Sequence, residues 1–274
     1  MSPRARTVLT TGANSGIGLA TVLALARAGF RSVGSVRSEE KAEAVRRAAK
    51  QAGLRVNTVV LDVTNANKCR HVIDKLAPYG IVNNAGYGVT AAVEDVGDEE
   101  ARSLIETMVI APMRLARLAL PHMRGRRDGR IINVSSIYGR TTTPLSGWYQ
   151  AAKHALEGVS DALRMEVASD GIRVVLVEPG GFKTAIWDDM ERSMAARKRS
   201  RYAAAYRRSL SGIRWSQALM GDPAAVARVI VRAMSARAPA ARYLVGYDAQ
   251  LLALAEPITP TALKDWISRV TLGL

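Results

Sequence analysis

Thr7-Val8-Leu9-Thr10-Thr11-Gly12-Ala13-Asn14-Ser15-Gly16-Ile17-Gly18 decides the fold. A short β-branched run, Thr7 to Thr10, passes straight into a glycine-rich turn, and the apolar spacing of 16–28 behind it suits a helix. Glycines allow a tight turn and a close backbone approach to a pyrophosphate. The N-terminus of the following helix favours negative charge. Gly12, Asn14, Ser15, Gly16, Ile17 and Gly18 are therefore expected to line a dinucleotide's phosphates. Such a turn is a weak signal alone and a strong one between the first strand and first helix of an alternating chain.

The chain does alternate. Val8 to Thr10, Ser32 to Val36, Val56 to Leu61, Ile81 to Asn83, Ile131 to Val134, Arg173 to Val177 and Tyr243 to Val245 read as strands. Most are apolar on both faces, as strands covered by helices on each side should be. Helices are expected near 16–28, 38–52, 65–77, 98–123, 147–169 and 223–236. This pattern predicts an α/β protein, a doubly wound parallel sheet with right-handed crossovers. Asp222-Pro223 reads as an N-cap with proline at the first helical position, and Gly29 as the left-handed residue ending the first helix. The stretch 184–221 is too long for an ordinary crossover loop and is expected to form one or two helices over the site. Residues 1–247 read as one domain, and 248–274 as a helical extension divided by Pro257 and Pro260.

The second strand ends in Ser35-Val36-Arg37-Ser38. Sites that hold a free ribose 2′-hydroxyl usually put a carboxylate there. Apolar Val36 and cationic Arg37 stand there instead, and a guanidinium matches a phosphate better than a hydroxyl. The expected cofactor is NADP(H) rather than NAD(H).

The chemistry is carried by Tyr149-Gln150-Ala151-Ala152-Lys153, thirteen residues after Ser136. Positions four apart share one helical face, so Tyr149 and Lys153 can point into one site. A free tyrosine titrates near ~10, and a neighbouring cation pulls that value down. A serine at the end of a preceding strand can hydrogen-bond a carbonyl oxygen. Together the three suit proton transfer to or from an alcohol or ketone oxygen.

Length and composition fit this picture. The chain has 274 residues, 48% of them hydrophobic, which suits one large α/β domain or two small ones. Lys plus Arg is 39 against 24 Asp plus Glu, a net charge of +15. That balance admits nucleic acid, an anionic membrane or acidic ligands, as well as a merely solvated basic surface. No aromatic–basic platform or DNA-reading motif supports nucleic acid. Cys69 is the only cysteine, so there is no intrachain disulfide and no cysteine-rich metal site. No run approaches the roughly eighteen apolar residues of a spanning helix, and Thr7 to Thr10 already reads as the first strand rather than as a secretory leader. The expectation is a soluble cytoplasmic protein without metal.

These residues resemble the short-chain dehydrogenase/reductase family across about residues 5–247. The motifs occur in order: Thr11 to Gly18, Asp62-Val63, Asn83-Asn84-Ala85-Gly86, Asn133-Val134-Ser135-Ser136, Tyr149 with Lys153, and Pro179-Gly180 with Thr184. The resemblance implies a single Rossmann-type domain with strand order 3-2-1-4-5-6-7. It implies an NADP-dependent oxidoreductase acting on CH–OH donors. Asp62 and Val63 would sit by the adenine, while Asn84, Ala85 and Gly86 would line the adenine-ribose side. Tyr149 would be the acid/base, Lys153 would hold the nicotinamide ribose and lower the tyrosine pKa, and Ser136 would orient the substrate oxygen. Pro179, Gly180 and Thr184 would hold the nicotinamide end. The chain looks like the hydroxysteroid- and retinol-dehydrogenase-like branch, in which an Arg-Tyr-x-Val-Gly strand such as Arg242 to Gly246 precedes extra helices. A homodimer or homotetramer is implied.

One position departs from the family. Counting back thirteen residues from Pro121 gives Met108 where an asparagine usually joins a water-mediated proton relay. A thioether cannot donate a hydrogen bond. Either Thr107 or backbone groups organise that water, or the proton relay is impaired, or Met108 simply fills a helix interface and the usual tetrad is a triad here.

On the substrate side, Trp187, Met190, Met194, Tyr202, Tyr206 and Trp215 suit a lipophilic pocket or a lid packing on the body. Tyr87, Ile137 and Tyr138 are expected in the pocket wall. The expected substrate is a lipophilic alcohol or ketone. A 3-oxoacyl-thioester reductase and an NADP(H)-binding scaffold or sensor are the alternatives. Arg197-Lys198-Arg199-Ser200-Arg201 makes the lid basic, suited to a solvated face, an acidic carrier or a peripheral membrane contact, the last also open to the C-terminal helices.

Overall fold

The computed structural model describes residues 6–274. Seven parallel strands form one sheet in the order β3-β2-β1-β4-β5-β6-β7. They are β1 (Thr7–Thr11), β2 (Arg31–Val36), β3 (Asn57–Val60), β4 (Gly80–Asn83), β5 (Gly129–Val134), β6 (Ile172–Pro179) and β7 (Arg242–Val245). The register pairs Thr10 with Gly34 and Val82, and Ile131 with Ile81 and Val174.

Both faces of the sheet are covered, which is why the central strands read as unbroken apolar runs. Val8, Val82, Ile132 and Val175 pack on one side with α1 (Gly16–Arg27) and α9 (Pro223–Ser235). Their neighbours Leu9, Ile81, Ile131 and Val174 pack on the other with α3 (Ala66–Leu76) and α5 (Ala111–Arg126). Helix α2 (Glu39–Gln51) joins α1 through Val22, Ala42 and Val45. Only the edges break the pattern. β3 is half-exposed along its length, and β7 buries Val245 alone.

The expected caps are present. The Asp222 carboxylate accepts from the Ala224 N–H at 2.8 Å, and Gly29 takes φ +87° after α1. Cys69 is a buried thiol donating to the Val63 carbonyl at 3.3 Å.

The stretch expected as one helix over 98–123 is two helices. α4 (Asp98–Ile105) and α5 are joined by a π turn, Glu106–Ile110. Pro112 explains the break: it has no N–H to give the carbonyl four residues back, and its ring crowds that carbonyl. The Ala111 N–H reaches the Glu106 carbonyl instead, five residues back. Helix α6 (Gly147–Glu166) lies beside the π turn, α7 (Ile186–Ala195) and α8 (Ala203–Ser216) form the lid region, and α10 (Tyr247–Ala255) and α11 (Thr261–Leu272) complete the chain.

Candidate active site

One continuous cleft of about 1800 Å³ runs along the carboxyl ends of the strands, where open α/β sheets bind ligands. That is larger than the roughly 300–1,000 Å³ of ordinary small-molecule pockets, room for a dinucleotide and a substrate together.

The turn after β1 is built to bring backbone close to a ligand. Gly12 and Gly16 take φ +66° and +49°, which side chains disfavour. A Cβ on Gly12 would lie 3.0 Å from the Ala85 Cα, and one on Gly16 would lie 2.9 Å from the Thr184 methyl. Thr11 and Asn84 brace the turn from β4. The Thr11 Oγ1 accepts from the Asn84 and Ala85 N–H groups at 3.0 and 2.9 Å, and the Asn84 amide donates to the Thr11 and Gly12 carbonyls at 2.9 and 3.2 Å. Asn14, Ser15, Gly16 and Ile17 line the cleft at the start of α1. The Ser15 side chain makes no capping bond, so its hydroxyl is free for a ligand. Gly18 is not a lining residue. It lies against the Gly12 carbonyl and the Asn84 amide, where any Cβ would collide. Its role is to let α1 close on the turn.

At the β2 end, exposed Arg37 lines the cleft and has no ion pair among the described residues. Lys41, on the first turn of α2, lines it too and escaped the sequence reading, because one lysine in a charged helix carries no signature. Asp62 and Val63 follow β3. The Asp62 carboxylate accepts from the Thr64 N–H at 2.9 Å and hydroxyl at 2.7 Å. These bonds hold its pKa below the usual carboxylate value, helped by Arg37 and opposed by burial. Two free cations, a braced glycine turn and a helix N-terminus fit a phosphorylated dinucleotide.

Ser136 stands two residues past β5, capping the single turn Ile137–Gly139, and Tyr149 and Lys153 lie buried on one face of α6. All three line the cleft with Pro179, Gly180, Thr184, Ala85 and Gly86. The Lys153 Nζ donates to the Val134 carbonyl at 2.9 Å and stands 5.7 Å from the Tyr149 ring centre. Gln150 holds the preceding loop, its Oε1 accepting from the Thr143 N–H at 3.1 Å and its Nε2 donating to the Thr143 hydroxyl at 2.8 Å. Electrostatics differ from the sequence expectation. Burial pushes the Tyr149 phenol above its ordinary pKa, and the Ser136 hydrogen bond pulls against it. Burial also lowers Lys153 itself to about 8, with the charge of Glu157 opposing. Desolvation dominates the phenol. Tyr149 is consequently held protonated at neutral pH, the form that donates.

Tyr87, Ile137 and Tyr138 wall the cleft, as expected of them, and of the lid residues Trp187 and Met190 line it too. Tyr138 meets Tyr149 edge-on at 6.3 Å. The other lid residues divide differently. Met194 and Tyr206 are buried against Ala92 and Leu145, and Tyr202 packs beside them. The Tyr206 hydroxyl accepts from the Ala92 N–H at 2.8 Å and donates to Asp95, while Tyr202 donates to Glu94. These three anchor the lid, and Trp215 points to solvent. Asp248 was not foreseen. From the first turn of α10 its carboxylate accepts the Gly181 N–H at 2.5 Å and fills the space beside Gly180, which explains why no side chain fits there.

Residues 6–195 match the short chain dehydrogenase family. The chain belongs to that family. This short-chain dehydrogenase is 32% identical over 250 residues to the 3-ketodihydrosphingosine reductase of Bacteroides thetaiotaomicron, covering 89% of each chain. It is 30% identical over 280 residues to human retinol dehydrogenase 5, covering 94% of this chain and 86% of that one. Among solved structures, a Streptomyces avermitilis short-chain dehydrogenase superposes with TM-score 0.78 at 30% identity, covering 98% and 97% of the two chains. A metagenomic short-chain oxidoreductase in complex with NADP superposes with TM-score 0.71 at 25% identity, covering 89% and 98%.

In this dehydrogenase Met108 is buried inside the π turn, where its methyl would lie 3.1 Å from a Cβ on Gly86. Its side chain fills the interface between that turn and the Asn84-Ala85-Gly86 loop. Pro112 cannot donate to the Met108 carbonyl, which therefore lacks its α-helical partner. Thr107 and Met108 both line the cleft. A backbone oxygen is the polar group this position offers, and Pro112, four residues on, was the signal for it in the sequence.

Proposed function

We propose that this oxidoreductase interconverts a lipophilic ketone and its alcohol with NADP(H). One observation carries the reading: Ser136, Tyr149 and Lys153 meet in a cleft with a phosphate-binding turn at one end and an aromatic, methionine-bearing wall at the other. Arg37 and Lys41 support NADP(H), which supplies the hydride when bound; the solved relative in complex with NADP agrees. Retinol and 3-ketodihydrosphingosine, the compounds in two relatives' names, are both lipophilic, which supports the substrate class.

The chain's own residues divide the work. Ser136, just past β5, donates a hydrogen bond to the carbonyl oxygen and stabilises the negative charge that develops there. Tyr149, protonated at neutral pH, passes its phenolic proton to that oxygen in reduction and recovers it in oxidation. Lys153 shares the helical face of Tyr149 and offers a positive charge to the phenolate. The Met108 carbonyl holds the water through which the phenolate regains its proton. A homo-oligomer is the expected assembly.

The test is Tyr149→Phe. Proton transfer by a positioned side chain contributes about 10²–10⁴-fold, so turnover of retinoid, steroid and long-chain keto substrates should fall by that factor while NADPH binding persists. Unchanged turnover would remove Tyr149 from the chemistry. Turnover of 3-oxoacyl thioesters alone, across the same panel, would replace the lipophilic-ketone reading.

A further inference from the structure

The last two helices carry their apolar residues on the wrong side for a folded body. In α10, Tyr247, Leu251 and Leu254 recur at i, i+4 and i+7, and Ile258 continues the row. That is one helical face, and it points outward: Tyr247 is 92% exposed and Ile258 81%. In α11, Leu263, Ile267 and Val270 repeat the same spacing with Trp266 beside them, Leu274 follows the helix, and all are exposed. The half-buried positions of α11 are Lys264, Ser268 and Leu272; Leu272 meets α8 and Lys264 pairs with Glu256. Trp215 and Leu219, where α8 ends, extend the exposed apolar surface. So much outward apolar surface marks an interaction site.

Charge indicates what covers it. Residues 195–221 contain seven Lys or Arg and no Asp or Glu. Arg197 and Arg214 have carboxylate partners on other segments. Lys198, Arg199, Arg201 and Arg207 are exposed and form no ion pair among the described residues. Free cations beside tryptophan and leucine suit the headgroup and acyl layers of an anionic bilayer. No helix of the described residues is long and apolar enough to cross a membrane, so contact would be in the plane of the surface. The cleft favours lipid over a second copy of the chain. Leu219, Tyr247 and Leu252 belong both to the exposed surface and to the cleft lining. A second copy seated there would close the mouth, whereas a bilayer would open it to an apolar phase.

We infer that the lid and C-terminal helices dock the protein on anionic membrane surfaces, with the mouth of the cleft facing the lipid. Docking itself does not depend on which compound the cleft converts.

The experiment is flotation of the full chain with vesicles of phosphatidylcholine alone, or with about one-third phosphatidylglycerol. Partitioning into the anionic vesicles should exceed the neutral ones at least about tenfold and collapse near 1 M salt, where the screening length is about 3 Å. Leu254→Ser with Ile258→Ser, and separately Trp266→Ser with Ile267→Ser, should each weaken it about tenfold. Arg199→Glu, Arg201→Glu and Arg207→Glu together should weaken it about a hundredfold or more. These positions are exposed, so NADPH binding and melting temperature should stay at wild-type values and serve as controls for folding. Three outcomes would overturn the inference. One is no binding to either vesicle. Another is binding that falls with the arginine changes but ignores the apolar ones, which would make the lid a face for an acidic protein. The third is a dimer that Trp266→Ser dissociates, with no affinity for vesicles, which would assign the surface to a second copy.

Discussion

Replacing Arg37 by serine should change which cofactor the protein prefers without harming the chemistry. Arg37 stands at the end of β2, lining the cleft, with Lys41 beside it on α2. A hydrogen bond to a charged group contributes about 1.5–3 kcal/mol. Arg37 is exposed and screened by salt, which places it at the lower end, about tenfold in affinity for a 2′-phosphate. Lys41→Ala adds a smaller loss, because an ammonium lacks the bidentate fork. The two changes together should cost about 10–100-fold if they act independently. NADH lacks the phosphate, so its binding should hold. The assay is kcat/KM for NADPH and for NADH with one carbonyl substrate, in the wild type and both variants. An equal loss with both cofactors would refute the reasoning, since it would place Arg37 on the shared pyrophosphate or in the fold. No loss with NADPH would leave Arg37 a solvated charge.

The remaining predictions concern protons and packing. Lys153 titrates near about 8, so kcat/KM for NADPH should hold below that pH and fall above it as the ammonium is lost. Stability should move the other way: the folded chain releases this proton before the unfolded one, so stability rises between about 8 and the unfolded value of 10.5. A flat rate profile to pH 9 would show that the free protein does not need the charge. Glu178 is wholly buried in β6, with the Arg140 Nε at 2.6 Å and the Arg242 Nε at 3.2 Å. Arg140→Ala should cost about 3 kcal/mol, the low end for breaking a buried pair because Arg242 remains, and roughly 6–12 °C in melting temperature. Adding Glu178→Gln should recover part of that, and a single variant melting like the wild type would sink the argument. Met108→Leu should keep turnover within about twofold, since a volume-conserving swap preserves packing and leaves the backbone carbonyl in place. A collapse in kcat with unchanged melting would instead give the thioether a direct part.

The fold was legible because each central strand must be apolar on two faces and each helix on one. Those periods survive in the sequence of Val8-Leu9, Ile131-Ile132 and Val174-Val175. Glycines whose roles are steric were legible too, since Gly12 and Gly16 admit no substitute where Ala85 and Thr184 approach. Residues whose role depends on a distant partner were not. Asp248 acts on a loop 67 positions earlier, and nothing local to it announces that. The lid aromatics were ambiguous for the same reason: nothing local to Tyr206 or Trp187 says that one finds Asp95 and Ala92 while the other finds the cleft.

Met108 teaches something different. Side-chain reasoning treats the loss of an asparagine as the loss of a relay group, which follows only if the side chain was the group that mattered. Pro112 removes the donor that would occupy the Met108 carbonyl, and the π turn that results sets that carbonyl apart from the regular helical ladder. A backbone oxygen survives any substitution at its own position, but not one at the residue that frees it. Replacing Pro112 by alanine restores an N–H that can reach the Met108 carbonyl and regularise the helix. If the carbonyl holds the relay water, Pro112→Ala should lower kcat about 10–100-fold, within the range for a general acid–base step, while NADPH affinity holds. Met108→Leu should do neither. If instead Pro112→Ala leaves kcat intact, the π turn is a packing device and the proton returns by another route.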